Sequence, residues 1–99
     1  MSGKSDFKAP TSIKVGGRSI KIKQDIDCDD HGRYYHMQKL IIIDPDKEDP
    51  HASLLHEAMH AALAVGGLSE MLDPKLEEAI CVAAEMLAPN IYWKMPKKK

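Results

Sequence analysis

Aromatic side chains are scarce in this 99-residue chain: three tyrosines, one tryptophan and one phenylalanine. Any core must therefore be built from aliphatic side chains. Cysteine is nearly absent as well. Cys28 and Cys81 are the only two, and the polar start Met1-Ser2-Gly3-Lys4-Ser5-Asp6 lacks the apolar stretch of an export signal. The expectation is a reducing cytoplasm, with no disulfide. No hydrophobic run approaches the ~20 residues that cross a bilayer, so no membrane partner is expected. Formal net charge is −1, which leaves no overall field to draw the chain to nucleic acid. Charge is local instead, acidic over 25–30 and basic over 94–99, read as a solvated loop and a solvated tail. Lysines at 97–99, without interleaved aromatics or a basic helix, are too little for a nucleic-acid site. Asp25, Asp27, Asp29 and Asp30 lack the glycine and closing glutamate of a calcium loop. Internal repeats and low-complexity segments are missing too.

What is present suits one small domain: 43% hydrophobic and 29% charged residues are ordinary for a globular protein. The expected limits are a loose start over 1–11, a single domain over 12–93 and the basic tail over 94–99. Ile13, Val15, Ile20 and Ile22 alternate with polar residues on both sides of Gly16-Gly17, a β-hairpin signal. Residues 25–32 read as loop, ending at Gly32. Arg33–Met37 and Lys39–Asp44 read as a second strand pair, stopped by Asp44-Pro45-Asp46. Asp49-Pro50 starts a helix, since aspartate suits the N-cap and proline the first helical position. It runs to Val65 and stops at Gly66-Gly67. Asp73-Pro74 repeats the signal for a second helix over about 74–88, ending before Pro89. Ile91-Tyr92-Trp93 reads equally as a short third helix or as an apolar clip docking the tail. Strands followed by helices predict an α+β domain: about four strands in an antiparallel or mixed sheet, with two main helices packed on it.

The first helix contains His56-Glu57-Ala58-Met59-His60. Residues four apart share a helix face, so His56 and His60 can bind one metal ion through ring nitrogens. Glu57, about a hundred degrees round the axis, can reach a metal-bound water. The pattern His-Glu-x-x-His is the zinc-peptidase signature, two ligands and a general base in little more than one turn. A small aliphatic core would also gain folding free energy from a bound zinc.

A catalytic zinc takes three protein ligands and keeps one position open. The second helix offers Glu77, Glu78 and Glu85. Glu78 and Glu85, seven apart, share a face beside Val82, while Glu77 points between Ala84 and Cys81. Helical geometry alone does not choose between Glu77 and Glu78. Cys81, one turn from Glu78, reads as a buried inert thiol. His51 lies about 140° off the ligand face and reads as a surface residue. Met37, Met59, Met71 and Met86 read as core or surface filling.

Leu55-His56-Glu57-Ala58-Met59-His60-Ala61 resembles the active helix of the ImmA/IrrE-type metallopeptidases, common in phages and mobile elements. Their second helix reads Glu-Ala-x-x-x-Ala-x-Glu-Leu-Leu-x-Pro. Residues 78–89, from Glu78-Ala79 through Ala83, Glu85 and Leu87 to Pro89, follow it closely, and the likeness spans roughly residues 18–90. The resemblance implies a minimal zincin domain of the gluzincin type, with Glu78 as third zinc ligand beside His56 and His60. The interval from His60 to Glu78 is shorter than in the larger members. No helix-turn-helix or sensor domain accompanies the site, so their regulatory biology does not carry over.

The function expected is zinc-dependent hydrolysis of a peptide bond, with Glu57 accepting a proton from the attacking water and returning one to the leaving amine. The partner would be a protein or peptide substrate; nothing specifies an oligomeric state. The strand Leu40–Asp44 is expected to run beside the cleft and pair with an extended substrate. Tyr34, Tyr35, His36 and His31 are candidate transition-state donors. The alternative is a zinc-stabilised regulatory or adaptor protein that binds a host or phage protein without turnover. The intact Glu57 weighs against it, because a purely structural zinc does not need that carboxylate.

Overall fold

The computed structural model describes residues 9–26 and 32–88. Readings that fall elsewhere lie outside the described residues; among them are His31, Cys28, the element at 91–93 and the basic tail. The described chain is α+β, a four-stranded mixed sheet and two helices.

Strands β1 (Ser12–Val15) and β2 (Arg18–Gln24) form the expected hairpin, with Val15 opposite Arg18. The two residues between them, Gly16 and Gly17, both have positive φ, 56° and 81°. That is the backbone a tight two-residue hairpin demands, and only glycine adopts it without steric cost. Strands β3 (Gly32–Tyr35) and β4 (Leu40–Ile43) pair antiparallel, with Tyr34 opposite Ile41. Between them lies a turn of residues 36–39, so the strands are shorter than the sequence suggests.

The two pairs join through β2 and β4, which run parallel with Ile22 opposite Ile41. Sheet order is β1-β2-β4-β3. This corrects the expectation for the strand Leu40–Asp44. It is interior, its hydrogen-bonding groups are used on both sides, and it has no free edge to offer a substrate. Its unbroken run Leu40-Ile41-Ile42-Ile43 is the pattern of a strand covered by neighbours. Among the described residues, the edge strand that lines the cleft side of the sheet is β3.

Helix α1 (Pro50–Val65) lies across the sheet. Ile20, Ile22, Ile41 and Ile43 meet Leu54 and Ala61 in a wholly aliphatic core. Asp49 caps the helix, accepting from the Ala52 N–H, and Pro50 opens it. After a short 3-10 turn at Leu68–Glu70, helix α2 (Pro74–Glu85) packs back along α1. Asp73 caps it through the Lys75 N–H. The helix ends three residues earlier than expected. Its last carbonyls, on Ala83 and Ala84, instead accept tighter bonds from the N–H groups of Met86 and Leu87. The layers are thus sheet, α1, α2. No described helix is long and apolar enough to cross a membrane.

Candidate metal centre

Helix α1 turns Leu54, Ala61 and Leu63 inward and presents His56 and His60 towards α2. Their ring centres lie 5.0 Å apart. Helix α2 can come close because its buried residues are small, Cys81 and Ala84. Three carboxylates of α2 converge on the two imidazoles. Glu85 Oε2 lies 2.5 Å from His56 Nδ1, and Glu77 Oε2 lies 2.7 Å from His60 Nδ1. Glu78 faces the other nitrogens: its two oxygens lie 3.2 Å from His56 Nε2 and from His60 Nε2.

The pattern sorts the acids by role. Glu77 and Glu85 each accept a hydrogen bond from an Nδ1–H. That bond sets the tautomer and leaves the Nε2 lone pairs pointing at Glu78. Two imidazole lone pairs then face a carboxylate with only acceptor atoms between them. Such a cluster requires a positive charge, either protons on the rings or a cation between the three groups. His60 shows the demand. Burial alone would lower its pKa, but the hydrogen bond to Glu77, the charges of Glu57 and Glu77 and the contact with Glu78 outweigh it and raise the value.

Cys81 adds a further donor. It is buried, and its sulfur and the ligand nitrogens of His56 and His60 all lie within 4.8 Å of one another. These three residues form a group that could hold a metal ion. Burial and the four surrounding glutamates push the free thiol up to about 12, so without a cation the sulfur stays protonated.

Glu57 lies beside the pair, half-buried against β3. Burial pushes its pKa up; the charges of His60 and His56 pull it back, Glu78 raises it, and a hydrogen bond from the Tyr34 backbone N–H lowers it. Gly32 of β3 sits against both β4 and Glu57. A Cβ there would meet Ile43 Cδ1 at 2.6 Å and the Ile42 carbonyl oxygen at 3.1 Å, both on β4, and would lie in ordinary contact with Glu57 Cγ at 3.4 Å. A side chain at 32 would therefore crowd β4 first.

A cleft of about 1020 Å³ opens between β3, the start of α1 and α2, with His56, Glu57, His60 and Glu78 in its lining. Of the sequence candidates for a donor, Tyr34 lines the cleft, and burial raises its hydroxyl pKa. The Tyr34 hydroxyl and His36 Nδ1 are hydrogen-bonded at 2.8 Å. Tyr35 and His36 are exposed and lie outside the cleft lining. His51 corrects its expectation. It is half-buried, and its Nε2 donates to the Ala88 carbonyl at 2.5 Å, tying the first turn of α1 to the end of α2. The sequence reading kept Glu77 and Glu85 only as rival ligands; their part in orienting the histidines depends on how the two helices are set together.

Compared with protein-family models, curated proteins and solved structures, the chain has no significant match.

Proposed function

We propose that this chain is a zinc-dependent peptidase of the ImmA/IrrE type, acting on a peptide or protein in the cytoplasm of a bacterium or its phage-infected host. One observation carries the reading: the Glu78 carboxylate stands 3.2 Å from both His56 Nε2 and His60 Nε2. One carboxylate oxygen faces each imidazole, Oε2 towards His56 and Oε1 towards His60, and each separation is near the roughly 3.3 Å between two ligand atoms of a tetrahedral zinc with bonds of ~2.0–2.1 Å. The donor set of two imidazoles and one carboxylate is that of hydrolytic zinc sites, with hydrogen-bonded acids behind each histidine. His56, His60 and Glu78 would hold the ion.

Bound there, zinc supplies Lewis acidity for a carbonyl and brings the pKa of water towards ~7. The chain's own groups do the rest. Glu57, its carboxyl raised by burial, takes the proton of the attacking water and later delivers one to the leaving amine. The edge strand β3, whose Gly32, Arg33 and Tyr34 line the cleft, is the strand alongside which an extended peptide would lie. Tyr34 and Ser53, both in the cleft lining, are the hydroxyls there that would donate to a developing oxyanion.

The second reading, a zinc-stabilised adaptor, is favoured by one specific feature: Cys81 within reach of the two histidines. A thiolate in the open position would close the site. The experiment loads the purified chain with one equivalent of zinc or cobalt and offers it unstructured peptide mixtures, with products read by mass spectrometry. The peptidase reading expects cleavage that falls by about 10²–10⁴-fold in Glu57→Gln, with metal content and fold unchanged. If the cobalt form shows intense sulfur-to-metal absorption that Cys81→Ala removes, and wild type cleaves no better than Glu57→Gln, the adaptor reading takes its place.

A further inference from the structure

Helix α2 wears its polarity inside out. Its acids Glu77, Glu78 and Glu85 face the cleft, while the side turned to solvent is apolar. Leu76 is 51% exposed, Val82 49%, Met86 80% and Leu87 53%. With the exposed Ala79 and Ala83 they fill an arc of about 140° at 100° per residue. Lys75 is the single charged residue on that arc. Surface helices normally point charge outward, and a contiguous apolar face of this kind marks a contact.

We propose that this face is covered by the chain's own Ile91, Tyr92 and Trp93, folded back round the end of α2. Three observations select that occupant. The first is position: the described chain stops at Ala88, at the end of α2, where the bond from His51 Nε2 holds the Ala88 carbonyl. The segment that follows starts at that end of the helix, from the buried α1 side of Ala88, and reaches the face by passing round the helix end. The second is reach. At ~3.3–3.6 Å per residue, Ile91 can lie ~10 Å from Ala88 and Trp93 ~17 Å. Val82, six residues before Ala88, is ~9 Å back along a helix ~10–12 Å wide. Pro89-Asn90 stands at the start of the segment, a pair suited to reversing a chain. The third is chemistry. A stripe with one charge calls for an apolar rather than an ionic partner, and Ile91-Tyr92-Trp93 holds two of the chain's five aromatics.

Trp93 is the only tryptophan, so its fluorescence reports the contact in the full-length, metal-loaded protein. The expected result is blue-shifted emission protected from iodide, at protein concentrations where sedimentation shows a monomer. Val82→Glu and Met86→Lys, both on the exposed face, should each shift the emission to the red and raise quenching to that of a free indole. Circular dichroism and zinc content should remain at wild-type levels. Emission typical of water in the wild type would overturn the proposal. So would emission unaffected by both substitutions, or protection that appears only on self-association and is lost in Val82→Glu, in which case a second copy is the occupant.

Discussion

The two helices are built for different purposes. Helix α1 is a core element: Ala52, Leu54, Ala61 and Leu63 are buried, and it touches the sheet on one side and α2 on the other. Helix α2 buries only Cys81 and Ala84 and rests on α1. What it offers in return is polar, three carboxylates set against two imidazoles. Apolar area therefore places α1, whereas charge pairing, and any cation between the pairs, places α2. The fold and the site depend on separable sets of residues.

That separation can be broken most forcefully from the core. Leu54→Ala should cost about 2–5 kcal/mol, because the side chain is fully buried and its removal leaves a cavity. The loss should appear in urea unfolding equally with and without zinc. A loss confined to the zinc-loaded state would mean that α1 is not placed by its apolar contacts. The next effect belongs to the helix–helix seam. Glu77→Gln and Glu85→Gln should each weaken zinc about 10–100-fold, as expected when the charged acceptor behind a ligand is replaced by a neutral one. Competition against a chromophoric chelator measures this, and the metal-free circular dichroism should not change. Collapse of the sheet in either variant would merge the two regions.

The smallest effect is in pH. Glu57 and His60 both have raised values in the fold, from ordinary values of 4.5 and 6.5. Above those ordinary values the native chain holds more protons than the unfolded one, so its stability falls as pH rises. The share from His60 is complete below its unfolded value and disappears as pH passes its raised one. Metal-free melting temperature should therefore decline as pH rises above the ordinary histidine value. The increment from zinc should grow over the same range, because the ion displaces the His60 proton. A metal-free melting temperature that climbs instead would show that protonated His60 does not bridge the helices.

Much of this was legible from local chemistry. Both Asp-Pro pairs open helices as expected, and the Gly16-Gly17 turn makes its hairpin, since each signal acts within a few residues. The parallel pairing of β2 with β4 was not legible. It joins segments separated by the whole of β3, and no turn residue encodes it. The unbroken run Leu40–Ile43 was the available clue that β4 is interior. For the site, His56, Glu57 and His60 follow from spacing on one helix. The acids needed a second helix at a particular rotation. A helical wheel sets Glu77 well away from Glu78 and Glu85. All three nevertheless reach the histidines, because two rings one turn apart offer nitrogens on opposite sides. Gly32 looked like the end of a loop; in the fold it opens β3, where a Cβ would crowd Ile42 and Ile43 of β4.

The exposure of the three groups at the Nε2 atoms is unequal. The His56 side chain is 13% exposed and that of His60 23%, whereas Glu78 is 56% exposed. Any ion seated there would have its more buried partners behind it and the exposed carboxylate in front. Exchange with solvent would run through Glu78, by swinging one exposed side chain while the imidazoles stay clamped by Glu77 and Glu85. Loading and loss should then be quick relative to unfolding, and a chelator could strip the ion from an intact domain.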